Sequence, residues 1–285
     1  MAEERSSTVA RDAALLRAAD LLLGVDFAPP RERAAAGGDR GTSPPTLRTA
    51  APASEAPRAA PPRPKSAPEP RAPAPPAPVA AIAPVRDAER QRRLDALREE
   101  HDARCPHCTT ATAHRRTVFG EGDAAAALMF IGEAPGETED ALGRPFVGRA
   151  GQKLDEIIAA MGLARGDVYI ANVLKSRPPD NRTPLQHEVD ACGPYLKRQI
   201  QIIRPRAIVT LGGPATKLVL NVEKGITRMR GAWAEYRDGE LVIPVMPTFH
   251  PAYLLRNYTL ETRRQVWSDM QAVAAKLRER AATLT

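Results

Sequence analysis

Four short apolar runs, ALMFIG (127–132), DVYIANVL (167–174), RAIVTLG (206–212) and LVIPVMPTFH (241–250), are separated by segments of helical period. A strand that passes through a helix before the next strand returns to the same sheet by a crossover, so this alternation predicts a parallel sheet. The runs are apolar almost throughout, as strands are when helices cover both faces. GQKLDEIIAAMGL (151–163), PLQHEVDACGPYLKRQIQIIRP (184–205) and ETRRQVWSDMQAVAAKLRER (261–280) supply covering helices, and DAERQRRLDALREE (87–100) adds a charged one ahead of CPHC. The expected fold is α/β, a three-layer α/β/α arrangement around a central four-stranded parallel sheet.

That fold occupies only part of the 285 residues. Residues 28–86 are mostly Ala, Pro, Arg, Ser and Gly, with too little apolar surface to offset the entropy of ordering, and read as a disordered linker. Ahead of it, STVARDAALLRAADLLLGVDF places Leu15, Leu16, Leu21, Leu22 and Leu23 at helical spacing. Residues 1–27 are thus expected to hold a short amphipathic helix, either a docking peptide for a protein partner or an isolated, partly formed helix. Asp12 and Asp20 interrupt its apolar stretch and no small-residue cleavage site follows, which excludes a signal peptide. Nothing is apolar enough to span a membrane. The net charge of +7 favours an anionic partner, and three cysteines, an odd number, point to the cytoplasm rather than to a disulfide framework.

Open α/β sheets bind ligands at the carboxyl ends of their strands. Polar and glycine residues stand there in this chain: Glu133 after the first run, Asn172 in the second, Gly212 and Gly213 after the third and His250 after the fourth. The stretch GEAPGETEDALGRPFVGRAGQ (132–152) contains neither the P-loop pattern nor GxGxxG. Its Glu133, Glu137, Glu139 and Asp140 would repel a phosphate. The pocket suits a mostly neutral ligand, and the glycines of GEAPG put no Cβ in the way of a close approach.

Between Arg92 and Leu277 the chain resembles the family-4 uracil-DNA glycosylases, through GEAPGETED, GRPFVGRAG, NVLKSRPPDNRTP, ACGPYL and HPAYLLR in that order. The resemblance implies that residues 87–285 are a uracil-DNA glycosylase domain, monomeric, acting on uracil-containing DNA in base excision repair. It makes His250 the electrophile that meets uracil O2, Phe146 the ring that stacks on the flipped base, and places Gly132, Ala134 and Glu139 at the uracil. Glu133 would orient water or counter the sugar cation; Ala134 stands where other glycosylase families carry a catalytic Asp. The Asn172 amide can pair with uracil O4 and N3–H, whereas cytosine offers a donor in place of O4. Leu254 or Leu255 is the expected wedge, and Arg149, Lys175, Arg177, Arg182 and Arg256 the expected phosphate contacts. Two other readings stand beside this one: a glycosylase for another deaminated base such as hypoxanthine, and an inactive damage-binding module tethered by its tail.

The resemblance also implies a structural iron–sulfur cluster (4Fe-4S), held in that family by four cysteines. Cys105, Cys108 and Cys192 match three positions, and the fourth is Ser176 in KSRPP. A hydroxyl is harder and far less acidic than a thiol and is a poor iron ligand beside thiolates. Three outcomes follow: a cluster completed by Ser176, water, His107 or His187; a three-iron form; or no cluster, with CPHC vestigial or zinc-binding.

Overall fold

The computed structural model describes residues 87–111 and 113–282; the expected helix over 1–27 and linker over 28–86 lie outside them. The elements run α1 (Ala88–Arg104), β1 (Glu121–Gly122), β2 (Leu128–Gly132), α2 (Glu137–Leu142), α3 (Arg149–Ala160), β3 (Tyr169–Asn172), α4 (Gln186–Ile203), β4 (Ala207–Leu211), α5 (Gly213–Leu220), α6 (Ile226–Met229), β5 (Ala234–Asp238), β6 (Leu241–Thr248), α7 (Pro251–Arg256) and α8 (Leu260–Ala282). The first begins at a side-chain cap, Asp87 accepting from the backbone N–H groups of Glu89 and Arg90.

The sheet has six strands in the order β1-β3-β2-β4-β6-β5, two more than the four apolar runs predict. Those four runs form its centre, β3-β2-β4-β6, and are parallel throughout. The additional β1 and β5 are antiparallel edges. Neither has an apolar run to announce it: β1 is two residues long, and β5 buries only Tyr236 of its five. β5 and β6 form a hairpin turning at Gly239, whose φ of 59° lies in the left-handed region where glycine has no Cβ penalty.

Strand residues alternate between two cores. Met129, Ile131, Ala171, Ile208 and Val245 pack on one face with Leu94 and Leu97 of α1 and Leu196 and Ile200 of α4. Leu128, Phe130, Ile170, Val209 and Met246 pack on the other with Leu154 and Ile158 of α3 and Val266, Trp267 and Met270 of α8. This double covering explains the unbroken apolar strands and is the expected three-layer arrangement. From β2 the chain crosses to β3 on one side, and from β4 towards β6 on the other. A crevice therefore opens beyond the carboxyl ends, where the strand order reverses.

Asp269 of α8 joins the end of the last parallel strand, through Thr248, to a buried ion pair with Arg230. Asp269 accepts from Thr248 Oγ1 at 2.6 Å and from Arg230 Nε at 3.2 Å and Nη2, while Arg230 Nη2 also donates to Gln265 O at 2.7 Å. Burial holds the Asp269 carboxyl above the usual carboxylate range, although Thr248 and Arg230 both oppose it. Desolvation thus consumes much of what the pair gains, but deleting one partner would leave the other buried and uncompensated. Asp269→Ala is accordingly expected to destabilise the protein by about 3 kcal/mol in urea denaturation, far more than an exposed ion pair would contribute.

Candidate active site and metal centre

The crevice is a cleft of about 570 Å³, and its lining includes Glu133, Glu139, Phe146, Asn172, Gly212 and His250. All four strand ends named from sequence meet in it. Asn172 closes β3, buried, and its Oδ1 finds no hydrogen-bond partner among the described residues. Leaving such an acceptor unpaired costs about 1–3 kcal/mol, so the atom stands ready for a ligand donor. Gly132 makes room for this arrangement: a Cβ there would lie 2.4 Å from Asn172 Oδ1 and 2.4 Å from Phe146 Cζ.

Phe146 is held in an uncommon backbone conformation, φ 49°, in the loop between α2 and α3. Two side chains grip that loop. Glu139 Oε1 accepts from the N–H groups of Val147 and Gly148, both at 2.8 Å. On the other side Arg165 donates to Pro145 O at 2.5 Å and Phe146 O at 3.2 Å, and is itself oriented by Asp155 and Glu121. Glu139 thus builds the pocket by positioning the loop. Arg165 was not foreseen, since an Arg in LARGDVY carries no local sign of its contacts 20 residues upstream.

His250 caps α7, its Nδ1 accepting from Ala252 N–H at 3.1 Å. An Nδ1 that accepts leaves the proton of a neutral imidazole on Nε2. Burial, and secondarily the positive charge of Arg256, lower the His250 pKa to about 4, with Glu139 opposing. The ring is therefore neutral near pH 7. Its centroid lies 5.6 Å from that of Phe146, the planes tilted by 34°. Glu133, at the mouth of β2, has its carboxyl raised above the usual range by burial.

On the face of the sheet covered by α1 and α4, a second cluster forms. The ligand atoms of His101, Cys105, Cys108 and Cys192 all lie within 4.8 Å of one another, and all four residues are buried. Cys108 Sγ is 3.7 Å from Cys192 Sγ, 3.3 Å from His101 Nε2 and 3.4 Å from Ser176 Oγ. About 3.8 Å is the separation of two thiolates bound at 2.3 Å to one tetrahedral ion, so the donor set fits a thiophilic metal in both chemistry and spacing. His107 and His187, the histidines weighed from sequence, are outside the set.

A family model described as the uracil DNA glycosylase superfamily matches residues 119–271. The chain belongs to that superfamily. It is 46% identical over 173 residues to the type-4 uracil-DNA glycosylase of Thermotoga maritima, covering 60% of this chain and 88% of the relative. It is 44% identical over 195 residues to the type-4 uracil-DNA glycosylase of Sulfurisphaera tokodaii, covering 67% and 86%. A type-5 uracil-DNA glycosylase of Pyrobaculum aerophilum is 33% identical over 200 residues, covering 57% and 85%.

The residues expected to face DNA divide on this superfamily fold. Arg256 and Arg182 line the cleft and Arg149 is exposed at the start of α3. Arg182 is bidentate on buried Glu188, at 2.7 and 2.8 Å, and Arg177 donates to Asn181 Oδ1 at 2.8 Å. Lys175 is corrected: it is wholly buried, Nζ donating to Asn172 O at 2.8 Å and Gln199 Oε1 at 2.6 Å, out of reach of a phosphate. Leu254 is corrected too, being buried in the core beneath α7, which leaves half-buried Leu255 as the wedge candidate. Exposed Tyr253 lines the cleft and was missed, because helix phase, not composition, turns it outward.

Gly132→Ala is the direct test of this packing. Relieving its Cβ contacts needs shifts on the order of 1 Å in Asn172 and Phe146, given ordinary contact distances. A crystal structure of the variant is expected to show both side chains displaced, with a stability loss of about 1–3 kcal/mol.

Proposed function

We propose that this chain is a uracil-DNA glycosylase of the type-4 kind, which flips uracil out of DNA and hydrolyses its N-glycosidic bond in base excision repair. The observation that carries the reading is the unpaired, buried Asn172 Oδ1 at a cleft that also holds Phe146 and a neutral His250. An acceptor beside a rigid aromatic ring fits a flipped, planar, neutral base: uracil offers N3–H to Asn172 Oδ1 and O4 to the amide N–H, and Phe146 stacks on the ring.

In the reaction the bond between C1′ and uracil N1 breaks with its electron pair moving to the base, while water oxygen bonds to C1′ and the proton it gives up ends on the departing base, which leaves as neutral uracil. Negative charge gathers on uracil O2, where the Nε2–H of His250 donates a hydrogen bond. A neutral donor fixed at that oxygen stabilises the developing charge through a preorganised hydrogen bond. Glu133 orients the water or faces the positive charge developing on the sugar. Gly132 and Ala134 leave the backbone open to the base, and Glu139 holds the loop that carries Phe146. Leu255 enters the vacated base step. Arg149, Arg177, Arg182 and Arg256 meet phosphates, adding affinity that falls with salt. Cys105, Cys108 and Cys192 would hold the metal centre, an iron–sulfur cluster (4Fe-4S) by resemblance, which would support the fold outside the cleft. A protein partner engages residues 1–27. The enzyme works as a monomer in the cytoplasm; no described helix is long and apolar enough to cross a membrane.

The function is tested by incubating the full chain with uracil-containing single strands and U:G duplexes. Free uracil and an abasic site are expected; binding without release would favour an inactive damage-binding module, and release from hypoxanthine alone a different base specificity. In the same assay Asn172→Asp is expected to lose uracil activity and gain release of cytosine, whose N4–H₂ a carboxylate can accept.

His250 sets two further expectations. Its pKa in the folded protein is about 4, below the unfolded value near 6.5, so the unfolded chain takes up this proton first as pH falls. Its contribution to stability is therefore complete above about 6.5 and is lost between about 6.5 and 4. His250→Gln is expected to flatten that part of the stability profile in urea titrations at several pH values, and to lower kcat by about 10²–10³ at pH 7.

A further inference from the structure

We infer that His101 is the fourth ligand of the metal centre, completing the set that Cys105, Cys108 and Cys192 leave one short, and that Ser176 does not ligate. The inference rests on the reading that the three thiolates bind a metal centre at all. It replaces the serine, and the histidines weighed from sequence, with a residue outside the four-cysteine pattern.

His101 is placed for this by the helix that carries it. It lies in the last turn of α1, and Cys105, four residues on, closes the helix by donating its N–H to His101 O at 2.9 Å. Residues four apart on a helix share a face, so HxxxCxxC directs imidazole and thiols to one point. The ring is fully buried, with Nε2 3.3 Å from Cys108 Sγ and 3.9 Å from Cys192 Sγ. Two aromatic rings fix its plane: Tyr195 edge-on at 4.9 Å and Phe119 tilted at 5.6 Å.

The other side of the imidazole carries the decisive contact. His101 Nδ1 is 2.8 Å from Asp102 Oδ1, and the same oxygen accepts from Thr117 Oγ1 at 2.8 Å. A carboxylate only accepts, so Nδ1 bears a proton, and Nε2 is the nitrogen that faces the sulfurs. A carboxylate behind a histidine whose other nitrogen faces a donor cluster is the arrangement that orients metal-binding histidines. Ser176 Oγ also lies near, 3.4 Å from Cys108 Sγ, at hydrogen-bonding distance from that sulfur. Imidazole is an established partner of three thiolates at a metal, whereas a serine hydroxyl is a hard, weakly acidic group that competes poorly with them.

The test uses the full chain purified without oxygen, measuring iron, zinc and sulfide per protein, visible absorption, and metal retention against a chelator. His101→Ala is expected to weaken metal retention at least tenfold, Ser176→Ala to leave it at the wild-type level, and Asp102→Asn to weaken it by about 10–100-fold, as loss of an orienting partner does. The double variant His101→Ala with Ser176→Cys is expected to regain metal, which shows that the single variant lost a ligand rather than its fold. Retention by His101→Ala together with loss by Ser176→Ala overturns the inference. Zinc without sulfide, lost on His101→Ala, supports His101 while overturning the iron–sulfur reading; a metal-free, folded wild type overturns both.

Discussion

A wholly buried ammonium group ties the cleft to the metal centre. Lys175 Nζ donates to Asn172 O and Gln199 Oε1 and lies 5.5 Å from the centre of the Phe119 ring. Both acceptors are neutral, so burial pulls its pKa down to about 8; the negative charge of Cys192, Cys108 and Cys105 opposes that fall. A buried cation of this kind is costly unless something compensates it, and thiolates are the compensation at hand. The backbone around it is equally committed. Val173 and Leu174 donate to Gly132 O and Glu133 O at 3.0 and 3.1 Å, extending the β2–β3 pairing past the strand ends, and Lys175 N–H reaches Cys192 Sγ at 3.2 Å. Asn172 to Ser176 is one buried segment with the unpaired cleft amide at one end and the cysteine cluster at the other. A metal held by these thiolates would therefore do more than staple α1 to α4, because it would fix the charge environment of the lysine that holds the Asn172 carbonyl.

What could be read in the sequence follows from what periodicity encodes. The four central strands and their covering helices were legible because burial on both faces demands unbroken apolar runs, and helices at α3, α4 and α8 show their own period. The cleft was legible as well: Glu133, Asn172, Gly212 and His250 were each identified at a strand end and all line it. Side-chain direction was not. Lys175 looked like one of several cations in a loop, yet the strand before it continues inward and carries it into the core. Leu254 and Leu255 are adjacent and chemically alike, and helix phase alone buries the first. His101 was concealed differently, since the cysteine pattern drew attention to His107 inside CPHC, while the histidine that meets the three sulfurs is one helical turn upstream.

Rigidity at the cleft comes from contacts that no single motif contains. Phe146 keeps a left-handed backbone, a conformation that costs a non-glycine residue on the order of 1–3 kcal/mol and persists only where its surroundings over-determine it. Here Glu139 fixes the N–H groups after it, Arg165 fixes the carbonyls at and before it, and Gly151 admits its carbonyl, where a Cβ would approach Phe146 O to 2.0 Å. The three come from α2, the turn before β3, and α3, so folding of the whole sheet is needed to bring them together. The ring they hold faces His250, whose imidazole is oriented by the first turn of α7, and whose helix is seated on the core through Leu254. Both groups thus meet a ligand in positions fixed before it arrives. Preorganisation of this kind places the energetic cost in folding, and the binding and charge stabilisation of a flipped base then proceed without further reorganisation of the site.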